Sequence, residues 1–408
     1  MNKLNREFDG WRISGIHSGK VTKLLISAIA APAGFAGTPA PEILEASESA
    51  SLYDKIWGLA TLYENDENPV IQKLAFTGRF QYDYATVQGD GSLVGGPSKD
   101  LSYEDFNTRR WRMGLKATLF EDFTLHSEAD FDPDIDPMYT RLTDAYVGWS
   151  PNEAFGLKVG KQGMGFTLDG KTSSKELLTL ERNALSGNLW YTYEYLPGVS
   201  VGGKQGNWHY QVGGYSQGEA DKEFGEFNAG STWMASLGYD LSEQLGSEKA
   251  MLALDYMYNE TTPSRPALFS NRSFGQVISL NFEYAKDCYG LRTDLAHGDG
   301  FLGQPDVWGV VVMPYWDITD KLQAVCRYTY IDGDGPDSVR FNTQYDNVAL
   351  NGERGNQYQE GYVGLNYYFY GNKLKIQTGL QYIDMQDTAN NGGAFRGWNW
   401  TTGLRLSW

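Results

Sequence analysis

Past its N-terminus this sequence has no stretch approaching the ~18 apolar residues that a membrane-spanning helix needs, although 41% of its 408 residues are hydrophobic. Spanning helices are thereby excluded. Cysteine is scarce: only Cys288 and Cys326 occur, too few for a disulfide framework or a zinc cluster. Basic residues are also short, 34 Lys and Arg against 51 Asp and Glu, for a formal charge of −17. Nucleic acid, which requires a basic surface, is excluded as a partner. Histidine is nearly absent. Beyond residue 36 only His126, His209 and His297 remain, and no serine or acid pattern singles one out. A hydrolase built on a His-centred site therefore has no catalytic candidates, and no cofactor or metal motif is present.

What is abundant points to strands. The chain holds 48 Gly, 27 Tyr and 12 Trp; glycine opposes helix, and the two aromatics favour strands and gather at membrane interfaces. Residues 1–36 read as an export signal: Lys20 and Lys23 precede the apolar run Leu24–Ala31, and Gly34-Phe35-Ala36 fits a small-x-small cleavage site. This implies export through the Sec pathway. Removing it deletes five basic and two acidic residues, so −17 becomes −20.

The decisive feature is alternation with period two, sustained to the last residue. In Lys73–Tyr84, Leu74, Phe76, Gly78, Phe80, Tyr82 and Tyr84 alternate with Lys73, Ala75, Thr77, Arg79, Gln81 and Asp83. Trp111, Met113, Leu115, Ala117 and Leu119 likewise oppose Arg110, Arg112, Lys116 and Thr118. The final segment sets Trp398, Trp400, Thr402, Leu404, Leu406 and Trp408 against Asn399, Thr401, Gly403, Arg405 and Ser407. About sixteen such segments fall between residues 72 and 408, and they predict a transmembrane antiparallel β-barrel, apolar outside and polar within. Connections alternate in length. Long ones (86–105, 132–139, 217–231, 260–273, 332–357, 385–397) take turns with short ones such as Gly206-Asn207, Lys286-Asp287 and Gly371-Asn372. Outer-membrane barrels keep that order, with short periplasmic turns and long external loops, whereas a soluble sandwich has no reason to. An even strand count places both termini in the periplasm, and outer-membrane lipid becomes the surrounding partner. Residues 37–71 do not alternate: Leu52, Ile56, Leu59 and Tyr63 share a helical face, and Ser51-x-x-Asp54 is a capping box. They predict a short periplasmic helix, either a strap leading into the barrel or an obstruction at its mouth.

Parity supplies an inward list. It contains the bases Arg79, Arg110, Arg112, Lys116, Lys158, Arg292, Arg327, Lys375 and Arg405, and the acids Asp83, Glu128, Asp130, Asp144, Asp255, Glu283, Asp294 and Glu360. First and last strands become neighbours on closure, so Lys375, Arg405, Arg79, Arg110, Arg112 and Lys116 share one wall interrupted by Asp83, with Glu128, Asp130 and Asp144 beside it. Two readings stay open: a transverse field that guides anions, or ordinary cross-strand pairing. The two cysteines fall on alternate strands about 9–10 Å apart, beyond the ~7 Å disulfide limit, which predicts free thiols.

Several pieces resemble the phosphate-selective porin O and P family. They are Gly78-Arg79-Phe80-Gln81-Tyr82-Asp83-Tyr84, Arg109-Arg110-Trp111-Arg112-Met113-Gly114-Leu115, Asp144-Ala145-Tyr146-Val147-Gly148 and Val159-Gly160-Lys161-Gln162, followed by a segment with Ser173-Ser174 and Glu181-Arg182. The resemblance covers residues 72–204 well. It implies a sixteen-stranded homotrimer whose third external loop, here 163–189, folds inward and narrows a channel for small solutes. It also implies that Arg79, Arg110 and Arg112 act as lumen arginines, with Lys161, Lys171, Lys175 and Arg182 at the constriction. Asp169, Glu176 and Glu181 stand among those bases. The function expected is therefore passive diffusion of small hydrophilic solutes, with anions such as phosphate as one candidate. A general or cation-preferring porin and a non-conducting adhesion or structural barrel are the alternatives.

Overall fold

The computed structural model describes residues 51–92, 97–189, 194–216, 223–224, 230–260, 273–341, 345, 353–388 and 393–408. The signal segment 1–36 and residues 37–50 lie outside them. Sixteen antiparallel strands close into a barrel. They are β2 (Ile71–Ser92), β3 (Lys99–Leu119), β4 (Phe123–Phe131), β5 (Tyr139–Asn152), β6 (Phe155–Gly163), β7 (Tyr195–Gln205), β8 (Trp208–Ser216), β9 (Ser231–Asp240), β10 (Lys249–Asn259), β11 (Phe274–Lys286), β12 (Tyr289–Gly300), β13 (Val307–Asp317), β14 (Leu322–Gly333), β17 (Gln357–Tyr370), β18 (Leu374–Gln386) and β19 (Ala394–Ser407). Each pairs with its predecessor, and β19 closes the ring on β2 from Ala394↔Ser92 to Ser407↔Arg79. A two-residue hairpin, β15 (Val339–Arg340) with β16 (Arg354–Gly355), sits in the connection between β14 and β17.

The alternation sets which face is which. Outward positions such as Val147, Leu237, Leu254, Val363 and Leu404 expose apolar side chains, while their neighbours point in and are buried. Aromatic pairs ring the outer surface at both ends. Phe123–Trp149, Trp208–Tyr239 and Tyr289–Trp316 mark the short-turn end; Trp308–Tyr330, Tyr382–Trp398 and Tyr84–Trp400 mark the long-loop end. Such girdles match amphipathic rings to a membrane interface. Both cysteines are free, and Cys326 is exposed on the outer face.

Two features depart from the strand pattern read in the sequence. Residues 86–105, which the spacing predicts to be a long connection, are mostly strand: β2 and β3 stay in register out to Gly91↔Lys99. Ala85 and Val87 point inward there and are fully buried, so the alternation continues past the point where the apolar outer set weakens. The second departure is a β-bulge, where Gln81↔Arg110 is followed by Tyr82↔Thr108 and Arg109 becomes the extra residue. The bulge lets Phe106 and Trp111, of opposite parity, both reach the outer aromatic cluster with Phe80, Tyr82 and Tyr84. It also turns Arg109 inward beside Arg110. Bulges commonly re-aim side chains in this way.

Before the barrel come α1 (Leu52–Gly58), closed by the Ser51/Asp54 capping box, and β1 (Thr61–Glu64), which pairs with the start of β2. The apolar stripe does not dock the helix: Leu52 and Leu59 are exposed. Docking comes from Tyr53, stacked 5.4 Å from Tyr370, and from Trp57, whose Nε1 donates to the Ser407 carbonyl at 2.6 Å. The helix therefore sits on the barrel rim beside the C-terminal strand.

Candidate functional site: a lumen occupied by its own loop

The connection between β6 and β7 enters the barrel and runs its length as a U. It descends from the long-loop end through Met164, Phe166 and α2 (Leu168–Lys171), reaches the short-turn end at Lys175–Leu178, and returns through Glu181 to α3 (Ala184–Leu189). Its limbs are braced to each other. Asp169 Oδ2 accepts from the Asn183 backbone N–H at 2.9 Å and from its side-chain amide at 2.7 Å. Arg182 donates to the carbonyls of Asp169 and Thr172, both at 2.9 Å. The Thr167 and Ser186 hydroxyls meet at 2.9 Å.

The wall holds the U from many sides. Arg79 donates to Ser174 Oγ at 2.7 Å and Gln81 to its carbonyl at 2.9 Å. Lys375 and Gln377 reach the Leu177 carbonyl at 2.9 and 3.0 Å, and Asn366 reaches that of Leu178 at 2.8 Å. Arg327 donates to Thr179 Oγ1 at 2.9 Å. Asp294 accepts the Leu168 N–H at 3.0 Å, and Lys171 pairs with Asp255 at 2.5 Å. Lys175, at the bottom of the U, reaches the Trp408 carbonyl at 3.1 Å and Thr77 Oγ1 at 3.4 Å.

Polar and apolar layers stack along this axis. Near the long-loop end, Phe166, Leu185 and Leu189 of the loop pack into an apolar cluster with Val277, Val307, Ile331, Ile383, Phe395 and the inserted Phe341. At the short-turn end Leu178 packs with Met313, Tyr315 and Val325. Ionic groups occupy the middle. The apolar layers were not visible from strand parity, because inward apolar residues there meet a partner distant in sequence.

Most of the expected pore-lining charges meet a partner of opposite sign. Arg79 pairs with Glu128 at 2.9 Å, Arg112 with Asp130 at 2.8 Å, and Arg405 with Asp83 through both guanidinium Nη groups. The first two join the basic strands to the acidic ones next to them, so these charges meet as cross-strand pairs rather than as opposed walls. Asp144 is buried opposite Glu128, and Lys116 lies opposite His126. Gly403 leaves room for the Asp83–Arg405 pair, since a Cβ there would lie 2.2 Å from Asp83 Oδ1. Of the residues expected at the constriction, Lys171, Lys175 and Arg182 hold the loop, whereas Lys161 lies at the long-loop mouth and binds Glu223 at 2.7 Å.

Two adjacent arginines converge on one carboxylate of the loop. Arg109 grips Glu181 through Nε and through Nη2, the latter at 2.9 Å from Oε2. Arg110 stands 3.9 Å from the same carboxylate and donates to the neutral Gln81 Oε1 at 2.8 Å. Parity alone put Arg109 outside. The signal that could have found it is the parity conflict between Phe106 and Trp111, which only a bulge resolves.

Glu223 ties its loop to the mouth, accepting from Lys161, from Tyr139 and from the Leu142 N–H at 2.9 Å. Burial opposes its ionisation, but the bonds from Lys161, Tyr139 and Leu142 outweigh it and hold the carboxyl below the usual glutamate range. A depressed folded pKa contributes stability that is present above the ordinary glutamate value and lost as pH falls through the folded one. Acidification from pH 5 to pH 3 is therefore expected to release this contact, read as a loss of protection at the Leu142 amide relative to its intrinsic exchange rate at each pH. Lys161→Met should raise the pH at which release occurs; a protection factor unchanged across that window would refute the latch.

Residues 74–272 match the family described as phosphate-selective porin O and P. No curated protein matches the chain in sequence. Solved structures share its fold at low identity. OprB of Pseudomonas putida aligns with TM-score 0.55 at 11% identity, over 82% of this chain and 94% of that one. The outer membrane channel DcaP of Acinetobacter baumannii gives 0.53 at 14%, over 85% and 100%. An anion-selective porin from Comamonas acidovorans gives 0.54 at 13%, over 82% and 99%. The closed sixteen-stranded barrel, its girdled outer face and the match over residues 74–272, just under half of the chain, show an outer-membrane channel similar to the phosphate-selective porin O and P family.

Proposed function

We propose that the chain is a passive diffusion channel for small hydrophilic solutes that favours small anions such as phosphate. The observation that carries this reading is the seat around Glu181, where Arg109 and Arg110 hold a carboxylate supplied by the chain itself. Guanidinium groups grip carboxylate and phosphate with the same planar fork, so a passing anion meets donors already arranged for it. The anion selectivity named for the Comamonas acidovorans porin, which shares the fold, agrees with this.

Glu181→Gln keeps the side-chain shape and removes the competing charge. The chloride-to-potassium permeability ratio, from reversal potentials in asymmetric KCl, is expected to rise severalfold, and phosphate should then block chloride current at lower concentration. An unchanged ratio with no phosphate block would refute the anion seat. A general or cation-preferring porin is favoured by the overall charge of −17; its mark is a cation preference that fades as salt screens the acidic loops. Homotrimeric assembly and Sec export belong to the same proposal. Light scattering in detergent checks the first, and the N-terminal sequence of the mature protein checks the second.

A further inference from the structure

The U of residues 164–189 does more than narrow the barrel. Asp255, Ser279 and Thr329 point inward from three different strands, and none has any solvent-accessible surface. In a water-filled lumen such positions are wet. Three leucines of the U are also seated where the wall lacks side chains. A Cβ on Gly309 would lie 2.7 Å from Leu185 Cδ1, one on Gly298 2.9 Å from Leu189 Cδ2, and one on Gly403 2.8 Å from Leu180 Cδ2. A side chain at any of the three positions would have to displace its leucine, so bare glycine at these points of the wall lets the U lie close against it. The braces through Asp169, Asn183 and Arg182 meanwhile make the U one body rather than a slack strand.

We propose that this segment is a reversible plug that holds the channel shut at rest, and that conduction requires Leu185 and Leu189 to leave their glycine seats. The inference rests on the channel reading above and specifies how that channel is regulated. An apolar layer filling the lumen blocks hydrated ions even without a tight ionic lock, because water and ions cannot cross a dry constriction. The wall arginines then guide a solute only after the plug has moved.

Single-channel recording in planar bilayers tests this with three full-length proteins and one in which the U is replaced, each first shown to be folded by heat-modifiable gel mobility. The unaltered protein is expected to be mostly silent, with brief openings. Leu185→Ser together with Leu189→Ser removes the apolar seating and leaves the wall unchanged; open time should rise at least tenfold. A third protein carries Gly298→Cys and Leu189→Cys with Cys288→Ser and Cys326→Ser. Oxidised, it should be silent, and reduction should restore openings. Steady, equal conductance in the unaltered and serine proteins, or unabated current in the cross-linked one, would overturn the plug. If a barrel with residues 168–189 replaced by a short Gly-Ser linker is also silent, the channel reading itself fails and the plug falls with it.

Discussion

Replacing Arg79 and Arg112 together by alanine is expected to swing open-channel selectivity strongly toward cations, with the swing surviving in 1 M KCl. Each substitution removes a positive charge and strands the carboxylate it neutralised, Glu128 in one case and Asp130 in the other. Two unit charges 4 Å apart interact by about 4 kcal/mol at an effective dielectric constant near 20, and about 1.4 kcal/mol corresponds to a factor of ten. Even after neighbours such as Arg141, 3.5 Å from Asp130, take up part of the field, a tenfold change in relative permeability is within reach. Salt separates this from surface effects. The Debye length falls from about 8–10 Å near physiological strength to about 3 Å at 1 M, which silences charges at the mouth but not those enclosed by a low-dielectric wall. Arg396→Ala supplies the contrast. Its partner Asp384 lies 2.8 Å away and the arginine is exposed at the long-loop end, so its loss should leave reversal potential at 1 M unchanged. Firm cation selectivity of the unaltered protein at 1 M, insensitive to the double substitution, would remove the anion-guiding role from these arginines.

The largest effect on stability is expected at the seam where β19 closes on β2. Arg405 holds both oxygens of Asp83, reaches the Leu180 carbonyl at 3.3 Å, and shares Asp83 with the Tyr345 hydroxyl at 3.1 Å. Both charged groups are buried. Arg405→Met leaves a buried carboxylate without its counter-charge, a change that typically costs about 3–5 kcal/mol. Asp83→Leu combined with Arg405→Met removes both charges, and paired removal is often neutral or mildly stabilising. Urea titration of the barrel in lipid vesicles, followed by tryptophan fluorescence, should therefore show a large loss for the single change and recovery of most of it in the double. Equal losses in single and double variants would mean that the pair contributes through packing rather than through charge compensation.

The barrel could be read from the chain because its determinants are local. Alternation in Lys73–Tyr84 or Trp398–Trp408 assigns each side chain to a face without knowing any neighbour, and repetition of the pattern with alternating long and short connections leaves a closed barrel as the fold that buries every edge. The inward placement of Arg79, Arg110, Arg112, Lys375 and Arg405 followed from the same parity. Arg109 did not, because a one-residue bulge reverses parity and is decided by which aromatic pairs pack across β2 and β3. The plug was legible only as a long third connection with mixed charges. Its course depends on contacts between residues far apart in sequence, such as Leu185 with Gly309, Lys171 with Asp255 and Arg109 with Glu181. Local pattern carries the direction of a side chain but not the identity of what meets it across a lumen. Sequence therefore determined that this chain is a barrel and which way side chains face wherever the strands are regular. Only the tertiary structure decided that the lining is already occupied, because filling a cavity is a property of shapes and charges that converge after the barrel has closed.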